Sequence, residues 1–143
     1  MKFYYLLFLI LLFSCGEKGR EERLKERVDS FATAYFNFRF DRAAAYTTEE
    51  SERWLRYLAS NVQQEDVDAI NDMERCATIR IDEVSCQEND TNAKVRITVN
   101  DFLQMDTIGT RGKVVKRAQF TISVVYRDEN WLVRMEAPLR SEK

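Results

Sequence analysis

The apolar positions of this chain change their period once, near residue 77. Before it they recur every three or four residues. Leu24, Val28, Phe31, Tyr35 and Phe38 form one stripe of a 3.6-residue period, and Glu21, Glu22, Arg23, Lys25, Glu26 and Arg27 take the other faces. The spacing predicts one long amphipathic helix over 20–40. Ala32, Phe36 and Phe40 widen its stripe, so its second half is expected to be buried on two sides. Asp41 to Tyr46 reads as a turn into a short second helix. Thr47 with Glu50 is a capping-box signature, opening a helix that carries Trp54, Leu55, Leu58 and Val62 on one side. Gln64 to Asn71 reads as a further short acidic helix or loop.

From residue 77 the period is two. Ile79 and Ile81 alternate with Arg80 and Asp82, and then Val84 and Cys86 shift parity, which predicts a bulge. After a polar turn at 88–92, Val95, Ile97, Val99 and Leu103 alternate with polar residues in a half-buried strand. A loop over 104–112 leads to a third strand, about 114–127, with Ala118, Phe120, Ile122, Val124 and Tyr126 on one face. Asp128-Glu129-Asn130 turns into a last strand with Trp131, Val133 and Met135, which Pro138 ends. Helices first and four antiparallel strands after them imply an α+β domain with its helices on one face of the sheet.

Composition removes several chemistries. The 143 residues contain no histidine, which excludes Ser-His-Asp and Cys-His nucleophiles and the HExxH metal site. Four glycines, none in a GxGxxG or GxxxxGK[ST] pattern, exclude a glycine-rich phosphate loop. A net charge of −2 offers no general attraction to nucleic acid. Nothing in the sequence calls for a cofactor or a metal.

The first residues read as a leader. Lys2 is followed by an apolar run, Phe3 to Phe13, of eleven residues, too short for a span of about 20 and the length of a signal-peptide core. Leu12-Phe13-Ser14-Cys15 resembles the bacterial lipobox, with Phe13 bulkier than that pattern usually has. The resemblance implies cleavage before Cys15, a thioether-linked diacylglycerol on its sulfur, and acylation of the new amino terminus with a fatty acid such as palmitate. Two or three chains anchor stably at ~0.8 kcal/mol per buried CH₂. Residues 1–14 are then the signal peptide, 15–22 the lipidated Cys with a polar tether, and 23–138 the folded domain. Gly16 stands where an inner-membrane retention signal has Asp, so the expected location is the bacterial cell envelope, anchored in the outer membrane and facing the periplasm or the surface.

The element order resembles the NTF2-like superfamily, the cystatin-related α+β cone. It is similar in particular to small lipoproteins whose domain is related to lumazine-binding-like modules. Phe31-Ala32-Thr33-Ala34-Tyr35-Phe36 leading into Phe40-Asp41-Arg42-Ala43-Ala44-Ala45-Tyr46-Thr47 is similar to the family's helix, polar break and A-x-x-x-x-T passage. Asn92-Ala93-Lys94-Val95 resembles its D-x-A-x-V strand entry. Tyr126 to Val133 resembles its final hairpin, where D-G-x-W-x-V is common, with Glu129 and Asn130 in place of Asp-Gly. The resemblance implies helices packed on one face of a curved four-stranded antiparallel sheet, and a superfamily that holds both enzymes and binding modules.

Candidate sites follow. Asp101 shares the parity of Val95, Ile97 and Val99, so alternation points its carboxylate toward the helices. There an apolar pocket and a tyrosine hydroxyl, from Tyr35, Tyr46 or Tyr57, suit acid-base work of the isomerase or dehydratase kind. Its bland counterpart is a hydrated residue where the strand frays. Phe31, Tyr35, Phe38, Trp54 and Tyr57 either line a pocket or are plain core. Cys76 and Cys86 can persist as a disulfide in an oxidising compartment. One straight strand between them sets them far beyond the ~7 Å Cα limit, and only a sharp bend at Asp82-Glu83 brings them together. Arg111, Lys113, Lys116 and Arg117 form a basic cluster, and Glu65, Asp66, Asp68, Asp72 and Glu74 an acidic one. The function expected is a non-catalytic binding or assembly module, its partner an envelope protein or a small apolar ligand, with a homodimer through the sheet as a further arrangement and an Asp/Tyr acid-base enzyme as the alternative.

Overall fold

The computed structural model describes residues 18–87, 91–105 and 112–142. The signal peptide, Cys15, the next two tether residues and Arg111 lie outside the described residues, and the rest of the expected tether, 18–22, is helical. Among those described, no helix is long and apolar enough to cross a membrane.

Helix α1 (Lys18–Phe36) is followed by a short α2 (Phe40–Ala43), two 3₁₀ turns (Ala44–Tyr46 and Glu49–Ser51), α3 (Glu52–Asn61) and α4 (Gln64–Asp72). Strands β1 (Thr78–Cys86), β2 (Asn92–Gln104), β3 (Lys113–Arg127) and β4 (Asn130–Arg134) pair in that order as an antiparallel meander. This is the α+β arrangement expected from the change of period, with the curved four-stranded sheet that the resemblance implies. The inward stripe of α1, Leu24, Val28, Phe31 and Ala32, is fully buried, as are Val95, Ile97, Val99, Ile122 and Val124 of the sheet opposite. Each of these Val, Leu, Ile and Phe side chains removed from water contributes ~1.5–3 kcal/mol.

The helix expected to run to residue 40 stops at Phe36. The Arg39 N–H donates to Ala34 O (2.8 Å), the Phe38 N–H donates to Tyr35 O (3.2 Å), and Phe38 takes φ 61°. That is a Schellman cap with phenylalanine in the position glycine usually holds. Asn37 secures it by bonding to the residue just ahead of β1, its Oδ1 accepting the Ala77 N–H and its Nδ2 donating to Ala77 O.

The capping box is not at Thr47–Glu50. Thr48 and Ser51 are buried, hydroxyl to hydroxyl at 2.5 Å, and pin this turn to β4 through Thr48 N–H to Val133 O and Met135 N–H to Ser51 Oγ. A reciprocal box forms instead at Gln63 and Asp66. Asp66 is 1% exposed, and its second oxygen accepts the Gly112 N–H at 2.9 Å, tying α4 to the start of β3. Glycine is required at 112, because a Cβ there meets Leu103 Cγ at 2.8 Å.

Two strand irregularities curve the sheet. β1 slips register between Ile81 and Glu83, at the expected bulge. In β2, Asp101 takes φ 55°, and the ladder steps from Asn100–Arg117 to Phe102–Val115. Across this kink the helix-facing set moves from Val95, Ile97 and Val99 to Phe102, whose ring meets Phe36 of α1 at 5.3 Å. The closing hairpin is a two-residue turn with Asp128 (φ 50°) and Glu129 (φ 65°) both left-handed between paired Arg127 and Asn130. That is the type I′ geometry that matches strand twist.

Asp66→Ala strips acceptors from two backbone amides at once. It is expected to cost on the order of 2 kcal/mol in urea unfolding; a loss under about 0.5 kcal/mol contradicts the role given to Asp66.

Candidate functional site

The interior of the cone is occupied by aromatic rings. Phe36, Phe102 and Phe120 meet pairwise at 5.3, 4.7 and 5.6 Å between centroids. Tyr35 adds contacts to Phe31, Phe36 and Phe40 at 5.5, 5.0 and 5.7 Å. What remains between them is a cavity of about 40 Å³, walled by Tyr35, Phe38, Phe40, Leu58, Phe102 and Leu139 among others. That is about the space of one water in the liquid.

Of the expected pocket residues, Tyr35 and Phe38 line this cavity. Phe31 is buried core. Trp54 and Tyr57 stack edge to face on α3 at 6.2 Å and line none of the three cavities described here.

Asp101 lines a different cavity, of about 90 Å³, with Asn37, Glu74, Arg75 and Cys76. Its backbone turns left-handed within β2, and Phe36 of α1 and Ile70 of α4 wall the same cavity. The two catalytic candidates, Asp101 and Tyr35, therefore share no cavity. The Cys76–Cys86 bridge does not form either. Cys76 is a free, exposed thiol ahead of β1, and Cys86 ends that nine-residue strand. At ~3.3 Å per residue the slip at Ile81–Glu83 bends β1 without folding it back.

The mouth of the cone is closed by the chain's own end. β4 pairs with β3 only from Ser123 to Arg127, and residues 135–142 continue beyond it as a strap. The Leu139 N–H donates to the Tyr35 hydroxyl at 3.0 Å, and the Glu142 N–H donates to Gln119 O at 2.8 Å. Burial pushes the Tyr35 pKa up to about 12, with the Leu139 amide opposing the rise. Glu142 reaches the outer sheet face, where it bonds the Thr121 hydroxyl and pairs with Arg96 at 3.0 Å. The hydroxyl first and then the guanidinium hold its carboxyl below the usual range.

Between this strap and the outer face lies a groove of about 540 Å³, within the ~300–1,000 Å³ of ligand sites. Lys94, Thr121 and Ser123 line it from the sheet, and Arg134, Glu136, Pro138, Leu139 and Arg140 from β4 and the strap. Three cations face one carboxylate. Sequence reasoning marked Lys94 only as an outward polar position and missed Ser123 and Arg134, because they become neighbours only through strand pairing. Of the two charged clusters, Asp66 accepts from two backbone amides and Asp68 from the Gln64 side chain at 3.0 Å, and Lys113, Lys116 and Arg117 are exposed on β3. Among the described residues no three His, Cys, Asp or Glu side chains are grouped to hold a metal ion.

A raised tyrosine pKa stabilises the fold fully below the ordinary value near 10 and loses that contribution as pH rises through about 12. In an ultraviolet tyrosinate titration the Tyr35 step is expected last, near 12, and Tyr35→Phe removes it. A late step that survives Tyr35→Phe contradicts the burial assigned to this hydroxyl.

No family model matches the chain, and no curated protein matches it in sequence. Among solved structures it is similar to a protein from Shewanella oneidensis MR-1 described as NTF-2 like and of unknown function. The TM-score is 0.54 at 12% identity, covering 79% of this chain and 93% of that one. A Xanthomonas campestris protein described as a putative calcium/calmodulin dependent protein kinase II association domain aligns at TM-score 0.43 and 14% identity, over 87% of this chain and 86% of that one. With the four-stranded curved sheet and its helices on one face, the first of these likenesses identifies the fold as NTF2-like.

Proposed function

We propose that this chain is a cell-envelope lipoprotein, held to the membrane through Cys15, and that its domain is a non-catalytic binding or assembly module working through the outer face of the sheet. The observation that carries the reading is where the space lies: about 40 Å³ inside the cone against about 540 Å³ on its outer face. A small apolar ligand needs the interior, which aromatic rings fill. An open, polar groove suits a protein partner. The acid-base alternative needs a carboxylate and a hydroxyl in one pocket, and Asp101 and Tyr35 line separate cavities. The lipid anchor rests on the resemblance of residues 12–15 to a lipobox.

The test uses the full chain in living bacterial cells with a photo-crosslinking residue at one of two exposed positions. Ala137 lines the groove, and Ala45 follows α2 in the helical layer. A discrete adduct from position 137 and none from 45 is expected, and an adduct of twice the chain's mass makes the partner a second copy. Equal adducts at both positions, or none, contradict the module reading. In the same cells radioactive palmitate is expected to label the chain and to be lost with Cys15→Ala; label that survives the substitution contradicts the anchor.

A further inference from the structure

The outer face displays, within the molecule, how it receives a carboxylate. Arg96 of β2 and Thr121 of β3 are direct register partners. Glu142 lays its carboxylate across the pair: one oxygen accepts from Arg96 Nε and Nη2 at 3.1 and 3.0 Å, and the other accepts from the Thr121 hydroxyl. A guanidinium beside a hydroxyl, on neighbouring strands, thus receives an acidic side chain carried on an extended segment, whose backbone is held by the Glu142 N–H to Gln119 O.

Two residues along, the next outward-facing row repeats the arrangement. Lys94 opposes Ser123, and Ser123 in turn opposes Arg134 of β4. Directly opposed side chains stand ~4.5–5.5 Å apart at Cβ, so a hydroxyl lies between two cations. All three residues line the groove. Among the described residues no carboxylate pairs with Lys94, and Arg134, whose charge also reaches Glu50, has its one close ion pair with Glu136, at 3.7 Å, whose side chain is 84% exposed. An ion pair this open to water contributes little and yields readily to a better-placed anion. Beside the row, Val125, Met135, Pro138 and Leu139 add apolar surface to the groove.

We propose that the Lys94–Ser123–Arg134 row is a carboxylate-binding subsite, and that its occupant is an acidic side chain on an extended segment of a partner protein. This rests on the reading of the outer face as the working surface, and it adds the chemistry of the partner. Three features favour a polypeptide. The neighbouring row already holds a glutamate on an extended strap. The groove has an apolar wall, Val125, Met135, Pro138 and Leu139, beside the row to accept residues flanking the acid. Lys94 supplies a point charge and Arg134 a planar fork, a combination that takes a carboxylate from two sides.

The test is a chemical-shift titration of the full chain with two capped peptides, acetyl-Val-Thr-Glu-Val-Thr-amide and its Gln counterpart. The Glu peptide is expected to shift the amides of Lys94, Ser123 and Arg134, and to bind about tenfold more weakly to Lys94→Gln and to Arg134→Gln. Both side chains are exposed, so both variants keep the wild-type circular dichroism. The Gln peptide is expected to bind about tenfold more weakly than the Glu peptide to the wild type, and added salt is expected to close that gap. Equal binding of the two peptides, shifts outside the groove, or unaffected variants overturn the subsite. Glutarate binding as tightly as the Glu peptide overturns the polypeptide occupant. Should the adduct at position 137 form while the peptide leaves this row unmoved, the module reading stands and the subsite falls; should neither respond, both fall.

Discussion

Helix α1 lying in the concavity of a strongly curved sheet is the contact on which the rest of this structure depends. Its stripe from Leu24 to Phe36 meets β2, β3 and β4 with almost no room to spare. Satisfying it requires the helix to stop at Phe36, since a longer one would leave the curved face. It also requires β2 to kink at Asp101 so that Phe102 reaches Phe36. The strap follows from the same constraint. β4 is five residues long against fifteen in β3, and the residues beyond it close the aromatic end where the sheet does not.

This packing decides where chemistry can occur. An acid-base site in a cone needs a carboxylate whose surroundings tune it and a donor within reach of the same substrate atom. Here the Tyr35 hydroxyl is spent on the strap, accepting the Leu139 amide, and its raised pKa keeps it protonated through the physiological range. The polar groups with open space before them are outside, on the face that alternation turns away from α1. Strand pairing sorts them into rows of cation and hydroxyl, and the chain's own Glu142 occupies one of those rows.

Much of the architecture was legible as periodicity, because one face of each element is buried and the other wet. The helical stripe, the bulge in β1 and the inward sets of β2 and β3 follow from that alone. What escaped is conformation carried by residues that do not advertise it. Phe38 caps α1 in a left-handed conformation where glycine is the usual sign, and Asp101 inverts the parity of β2 within an otherwise regular pattern. Thr47 and Glu50 mimic a cap whose real counterpart is Gln63 with Asp66, a pair with a weaker sequence signature. The groove escaped for a different reason: Lys94, Ser123 and Arg134 are far apart along the chain, and only the register of three strands makes them one row.

The central claim is that this domain works on its outer face and that its interior is core. Amide hydrogen exchange of the full chain, compared between intact cell envelopes and the purified protein, addresses it directly. The account predicts added protection in the envelope over 92–96, 121–125 and 132–140, the walls of the groove. Protection that falls instead on 35–40 and 102–105, around the aromatic cavity, would contradict it.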